Sequence, residues 1–166
     1  MDDMKITEIK DIDFSNCKTA VQVTTKVCCL NNFIRCLEWR AECRNLEDLK
    51  ECIKIIDSYN DFEAESICEA LDKYASLKRF YNEDNPNNKE DFFTFEIGRE
   101  GSPVIYIKFM RRMQIFKDGK LIPSEARTMT KEDFEMRMRA LAEIARPQEL
   151  HFSEDGLYHV CRMWWD

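Results

Sequence analysis

The spacing of apolar residues changes midway along this chain, and that change constrains its fold more than any other feature. Before residues 82–89 apolar side chains recur at steps of three and four, and after them the spacing shortens to two. The segment NEDNPNNK at 82–89 is polar, holds a proline and four asparagines, and is typical of a linker. The sequence predicts an α+β protein, 1–166, in which a helical half (1–81) and a sheet-plus-helix half (90–166) share one core.

Three helices are expected in the first half. The first carries an apolar stripe that runs unbroken into FIRCLEWRAEC, although TAVQVTTKV is β-branched enough for residues 19–29 to be a strand instead. Asn45 caps the second helix, LEDLKECIKIID. Asn60 and Glu63 have the capping-box spacing for the third. The stripes of the first and third helices are Val23, Val27, Leu30, Ile34, Leu37 and Ala41, and Phe62, Ile67, Ala70, Leu71, Tyr74 and Leu77.

The second half reads as an antiparallel sheet of hairpins with one helix. DFFTFEI and PVIYIKFM alternate as strands around a turn at 98–102, on an edge of the sheet, and Asp118-Gly119 marks a further hairpin. Thr130, with Asp133 three residues on, caps a helix that Pro147 ends. ELHF and LYHVCRMWW form the last hairpin, around SEDG.

The first 20 residues are rich in charge and lack the apolar core of a secretory signal. No stretch approaches the roughly 20 apolar residues that span a bilayer. We therefore expect a soluble cytoplasmic protein, in which the eight cysteines are reduced thiols.

The cysteines cluster at residues 26–43 but do not have the spacing of a metal site. On one helix Cys29, Cys36 and Cys43 would be about 10.5 Å apart along the axis, whereas thiolates on one zinc lie within roughly 4 Å of each other. The chain has no Cys-x-x-Cys. We expect small buried apolar side chains, and neither a metal nor a cofactor.

Catalytic motifs are absent from the sequence. It has no P-loop, dinucleotide-binding turn, HExxH, GxSxG or EF-hand loop, and only four glycines to form a phosphate cradle. His159 and Cys161 would share a strand face, and an ordinary sheet-surface pair is the favoured reading of them. An enzyme of unrecognised type, with a pocket between the two halves, remains an alternative.

Charge is distributed unevenly along the chain, whose formal net charge is −7. Residues 45–72 hold nine acids against Lys50 and Lys54, whereas residues 99–146 carry a net +4. This balance argues against a dedicated nucleic-acid binder. Arg111 and Arg112 could still form a basic edge, which leaves an RNA-binding accessory protein as a further alternative. Because successive strand residues face opposite sides, Trp164 and Trp165 cannot both enter one core, and an exposed tryptophan could meet a partner.

The function expected from these features is that of a non-enzymatic protein-binding module. Its partner would be a larger basic protein, a nuclease or another nucleic-acid-binding protein, which it inhibits. Small acidic chains without motifs are typical of phage and mobile-element anti-defence proteins, anti-CRISPR proteins among them; this is an analogy of type, carried by no residue pattern. The residues expected to contact the partner are Glu47, Asp48, Glu51, Asp57, Asp61, Glu63, Glu65, Glu69, Arg111, Arg112, Trp164 and Trp165.

Overall fold

The structure is a computed structural model that describes residues 14–29, 38–74, 93–110, 114–123 and 130–166. Within these residues a five-stranded antiparallel sheet carries helices on one face, which confirms the predicted α+β class. Most of the helices come from the N-terminal half and most of the sheet from the C-terminal half. The polar segment at 82–89 lies outside the described residues.

Four helices are described, and caps visible in the sequence start two of them. Their bounds are α1 Ala20–Cys29, α2 Leu46–Ile56, α3 Ala64–Tyr74 and α4 Lys131–Ala145. The Asn45 side chain accepts the N–H of Asp48 at 2.9 Å, and the Thr130 side chain accepts that of Asp133 at 3.1 Å, as predicted. None of these helices is long and apolar enough to cross a membrane.

The sheet takes its strands from both ends of the described chain. Its order is β1-β4-β5-β9-β8, with bounds β1 Trp39–Cys43, β4 Phe93–Glu100, β5 Ser102–Met110, β8 Glu149–Asp155 and β9 Tyr158–Trp164. Two small hairpins complete the elements, β2 Ser58–Tyr59 with β3 Phe62–Glu63, and β6 Gln114–Lys117 with β7 Lys120–Pro123. The second turns at Asp118 and Gly119, both at positive φ, as the Asp-Gly pair predicts.

The helices cover one face of the sheet, and the main core lies between them. The register brings Ile97, Ile105 and Met163 into line across three strands, and each is at most 2% exposed. Leu49 and Ile53 of α2 pack into the same cluster. The predicted stripe of α4 is buried throughout, at Phe134, Met138, Leu141 and Ala145. In α3, the predicted residues Phe62, Ile67, Ala70 and Leu71 are buried.

The structure corrects three local predictions. Residues 39–43 form strand β1, so the expected long first helix is wrong beyond Cys29, and residues 19–29 contain a helix and no strand. Asn60 does not cap α3; it lies at φ 48° in the β2–β3 turn, where asparagine tolerates a left-handed backbone. The β8–β9 turn is at Gly156–Leu157, because SED belongs to β8.

Gly98 shows why the first of these corrections could not be seen locally. It lies within β4 opposite Arg40, and a Cβ atom added there would be 2.2 Å from the Trp39 carbonyl oxygen. The missing side chain thus allows β1 to approach β4 closely. The partner that makes Trp39–Cys43 a strand is more than fifty residues away in sequence, beyond the reach of a local pattern.

Candidate functional site

The acidic block at 45–72 forms an exposed surface on α2, α3 and the hairpin between them. Eight of its nine carboxylates are exposed. The exception is Asp48, whose side chain is 7% exposed and is held by the Arg44 guanidinium at 2.6 and 2.9 Å. That bidentate hydrogen bond lowers the pKa of Asp48 although burial opposes it. Asp48 therefore stabilises the start of α2, and its prediction as a contact residue has no support in this geometry.

Local sequence explains why the other acids face outward. The apolar residues of α2 and α3 point inward at helical spacing, so the charged residues between them fall on the opposite faces. Glu47 lies in the first turn of α2 and Glu65 in that of α3, where the helix dipole favours acids. The two helices pack side by side on the sheet and present one continuous acidic surface.

A groove of about 470 Å³ runs between α2 and α3. Four carboxylates and one lysine line it, and Cys68 lies in its wall. Burial raises the pKa of the Cys68 thiol, which keeps it protonated at neutral pH. The lining residues are Lys54, Asp57, Ala64, Glu65, Cys68, Glu69 and Asp72.

A second groove of about 620 Å³ lies between α3 and α4. It has four carboxylates against a single arginine, and it joins residues of the two halves of the chain. Glu69 belongs to both grooves, so the two meet along one side of α3. The lining residues are Asp61, Glu63, Ser66, Glu69, Glu143, Ile144, Ala145 and Arg146.

Lysines neutralise part of this surface. Lys50 contacts Asp72 at 2.7 Å and Glu47 at 3.6 Å, and the hydrogen bond from Asp72 is the largest of the effects that raise the pKa of Lys50. Lys73 contacts Glu69 at 3.2 Å, between side chains that are both more than half exposed. Exposed pairs of this kind are weak and are screened by salt. A negative excess therefore remains in both grooves.

Asp57 has an unusual backbone at the end of α2. Its φ is 65° and its ψ −82°, outside the regions that non-glycine residues ordinarily occupy. Its N–H donates to the Ile53 carbonyl at 2.9 Å, and its carbonyl accepts from the N–H of Ala64 at 2.9 Å. These two bonds hold the turn that places α3 beside α2, so Asp57 has a structural role as well as an exposed carboxylate.

The paired tryptophans lie on opposite sides of the sheet, as predicted. Trp165 is fully buried, donates its indole N–H to the Ala145 carbonyl at 3.0 Å, and meets the Phe62 ring edge-on at 5.2 Å. Trp164 is half-buried on the other face and donates to the Glu100 carbonyl at 2.9 Å. Neither borders the acidic grooves.

His159 and Cys161 share a face, and it is the core face rather than the sheet surface. Cys161 is fully buried, and burial raises the pKa of its thiol to about 12. His159 is 7% exposed and stacks against Phe134 at 5.8 Å. A thiolate nucleophile is disfavoured in such surroundings.

The cysteine cluster is not on one helix. Cys43 ends β1 and hydrogen-bonds with the thiol of Cys52 on α2; this contact, followed by burial, raises the pKa of Cys43. Cys36 and the side chain of Cys29 lie outside the described residues. Among the six cysteines whose side chains are described, four are buried and all are free thiols. In the described ranges no three His, Cys, Asp or Glu residues are arranged to hold a metal ion.

Arg111 and Arg112 lie outside the described residues. The strand they follow, β5, is the central strand of the sheet, so the expectation of an edge strand is wrong. The basic side chains nearest to them along the outer face are engaged: Lys108 contacts Glu96 at 3.1 Å and Asp155 at 3.8 Å.

The outer face of the sheet holds a charge network that the sequence analysis missed. The Glu100 carboxylate accepts hydrogen bonds from Arg162, from Arg40 at 3.1 Å and from the Tyr106 hydroxyl. Burial would raise the pKa of Glu100, but these donors outweigh it and lower that pKa. Polar residues at every second position of β4 and β5 were the available signal.

Comparison with protein-family models, curated proteins and solved structures finds no match to this chain.

Proposed function

We propose that this chain is a non-enzymatic protein-binding module that engages, and inhibits, a larger basic partner through the acidic surface of α2 and α3. The observation that carries the proposal is the pair of acidic grooves that meet at Glu69. A nuclease or another nucleic-acid-binding protein has the complementary surface, a groove lined by lysine and arginine. The anti-defence class of phage and mobile-element proteins fits this role.

The physical argument is electrostatic. Carboxylates on a folded helical surface repel phosphate backbones and attract cationic grooves, and the attraction steers diffusional encounter. Exposed charges are screened beyond about 10 Å at 0.1 M salt, so only acids close to the contact contribute strongly. Binding should therefore weaken as salt is raised, and reversal of acids elsewhere on the molecule should have little effect.

The test compares two charge-matched variants. Glu63→Lys with Glu69→Lys reverses two acids of the α3–α4 groove, whereas Glu38→Lys with Glu42→Lys reverses two exposed acids at β1. The change in net charge is the same in both. Partners captured from a cell lysate at low salt are identified by mass spectrometry, and the affinity of each purified partner is then measured against salt concentration.

The groove variant should bind a basic partner on the order of tenfold more weakly than wild type at low salt, with a flatter salt dependence. The β1 variant should bind as wild type does, and thermal melts should show both folded. Equal affinity of the groove variant and wild type, or loss in both variants alike, would mean that the acidic surface is only solvated.

The enzyme alternative predicted a pocket between the halves of the chain, and the α3–α4 groove occupies that position. Neither His159 nor Cys161 lines it. No observation places a nucleophile with a base in this groove, and the binding function is therefore preferred.

A further inference from the structure

Strand β8 lies at the edge of the sheet. It pairs with β9 over seven consecutive residues, from Glu149 opposite Trp164 to Asp155 opposite Tyr158, without a bulge. In the part of the chain that the structure describes, no strand pairs with its other side. An edge of this kind presents backbone N–H and C=O groups that can bind a further strand.

The usual protections of an edge strand are missing from β8. Natural edges carry lysine, proline or a bulge, or are very short. The sequence of β8, ELHFSED, contains neither lysine nor proline and is regular over its length. Its charged residues at neutral pH are all acids, and the side chains of Glu149, Glu154 and Asp155 are 61%, 45% and 74% exposed.

These acids disfavour a second copy of the chain as the occupant. The antiparallel register that pairs all seven residues of two β8 strands is centred on Phe152. It places Glu149 of one copy opposite Asp155 of the other, at both ends of the pairing. Like charges directly opposite each other destabilise a strand pair.

The two faces of β8 specify different neighbours. Leu150 and Phe152 lie on the helix-covered face, half-buried against the core beside α4. Glu149, His151 and Asp155 lie on the outer face and are exposed. A strand added here would place apolar side chains along the first pair and cationic side chains beside the acids.

We propose that the free edge of β8 binds an extended, basic segment of a protein partner by strand addition, with lysine or arginine at alternate positions on the outer face. Backbone hydrogen bonds supply the pairing, and Glu149 and Asp155 select for positive charge. This site is separate from the α2–α3 surface, so it does not depend on the function proposed above.

The probe is a capped heptapeptide of alternating lysine and valine, titrated into the ¹⁵N-labelled protein and followed by backbone amide shifts. Shifts should concentrate at residues 149–155. The same peptide with N-methylated valines keeps the charge and side chains but loses ladder donors, and should bind at least about tenfold more weakly. A glutamate–valine peptide should not bind.

Two variants separate this site from the acidic grooves. Ser153→Lys adds a cation to the exposed edge and should weaken binding several-fold, with an unchanged melting temperature. Glu63→Lys with Glu69→Lys should leave peptide binding unchanged, whatever its effect on the partner of the α2–α3 surface.

Four results would overturn the proposal. They are shifts confined to α2 and α3, equal binding of the N-methylated peptide, dimerisation of the protein through β8, and slow exchange of every β8 amide in the free protein. The last would show that residues outside the described ranges already cover the edge.

Discussion

Replacing Trp165 by phenylalanine should destabilise the fold strongly, because the indole has two separate roles in the core. It fills fully buried space against Phe62, and it satisfies the Ala145 carbonyl in the last turn of α4, where carbonyls lack helical partners. Phenylalanine retains most of the apolar contact but has no donor. The variant therefore combines a small cavity with an unpaired buried acceptor.

The magnitude follows from these two losses. Leaving a buried carbonyl unpaired costs about 1–3 kcal/mol. Removing roughly three buried ring atoms, at about 0.8 kcal/mol for each group of that size, costs about 2 kcal/mol more. The free energy of unfolding should fall by about 3–5 kcal/mol, which is a large part of the stability of an ordinary domain.

Trp164→Phe is the matched control, since Trp164 also donates to a carbonyl but lies half-buried on the outer face. Water can replace its hydrogen bond, so a loss of about 1 kcal/mol or less is expected. Urea unfolding followed by far-UV circular dichroism measures both, and the Trp165 variant should lose about 1–3 M in midpoint at unchanged slope. If the Trp165 midpoint moves no further than that of Trp164, the assignment of the core is refuted.

Three further changes test local features of the fold. Gly98→Ala should cost about 1–3 kcal/mol in urea unfolding, because its Cβ would collide with the Trp39 carbonyl; an unchanged midpoint would contradict the close β1–β4 approach. Asp57→Gly should raise stability by roughly 1 kcal/mol in the same assay, since glycine relieves the strained φ of 65°, and a loss would show that the carboxylate matters more than the backbone. Asp48→Asn should lower stability at pH 7; because Arg44 lowers the folded pKa of Asp48, the difference from wild type should be full above about pH 4 and vanish as pH falls through that value, and a pH-independent difference would exclude the ion pair.

The elements that local patterns predict well are those whose signals are local. Asn45 and Thr130 cap their helices through side-chain contacts three residues away, and Asp118-Gly119 turns its own hairpin. The exposure of the acids on α2 and α3 follows from the same helical period. These parts of the fold and of the candidate site could be read from the sequence.

The remainder depends on contacts between residues far apart in the chain. The apolar step through Ala41 matches a helix, yet pairing with residues 95–99 makes β1 a strand. The capping-box spacing at Asn60 describes a turn equally well, and only the neighbouring strands decide between them. The α3–α4 groove requires two helices from opposite halves of the chain, which no local pattern brings together.

The strand order has a consequence for the kinetics of folding. β9 is the last of the described strands in the chain, yet it lies between β5 and β8, and it pairs with both. Until residues 158–164 have been synthesised, the apolar central strand β5 has an open side and β8 has no partner. Contacts of such long sequence separation slow folding and leave sticky edges exposed meanwhile. We therefore expect the sheet to close only late in synthesis, with the chain dependent until then on chaperones or on rapid completion.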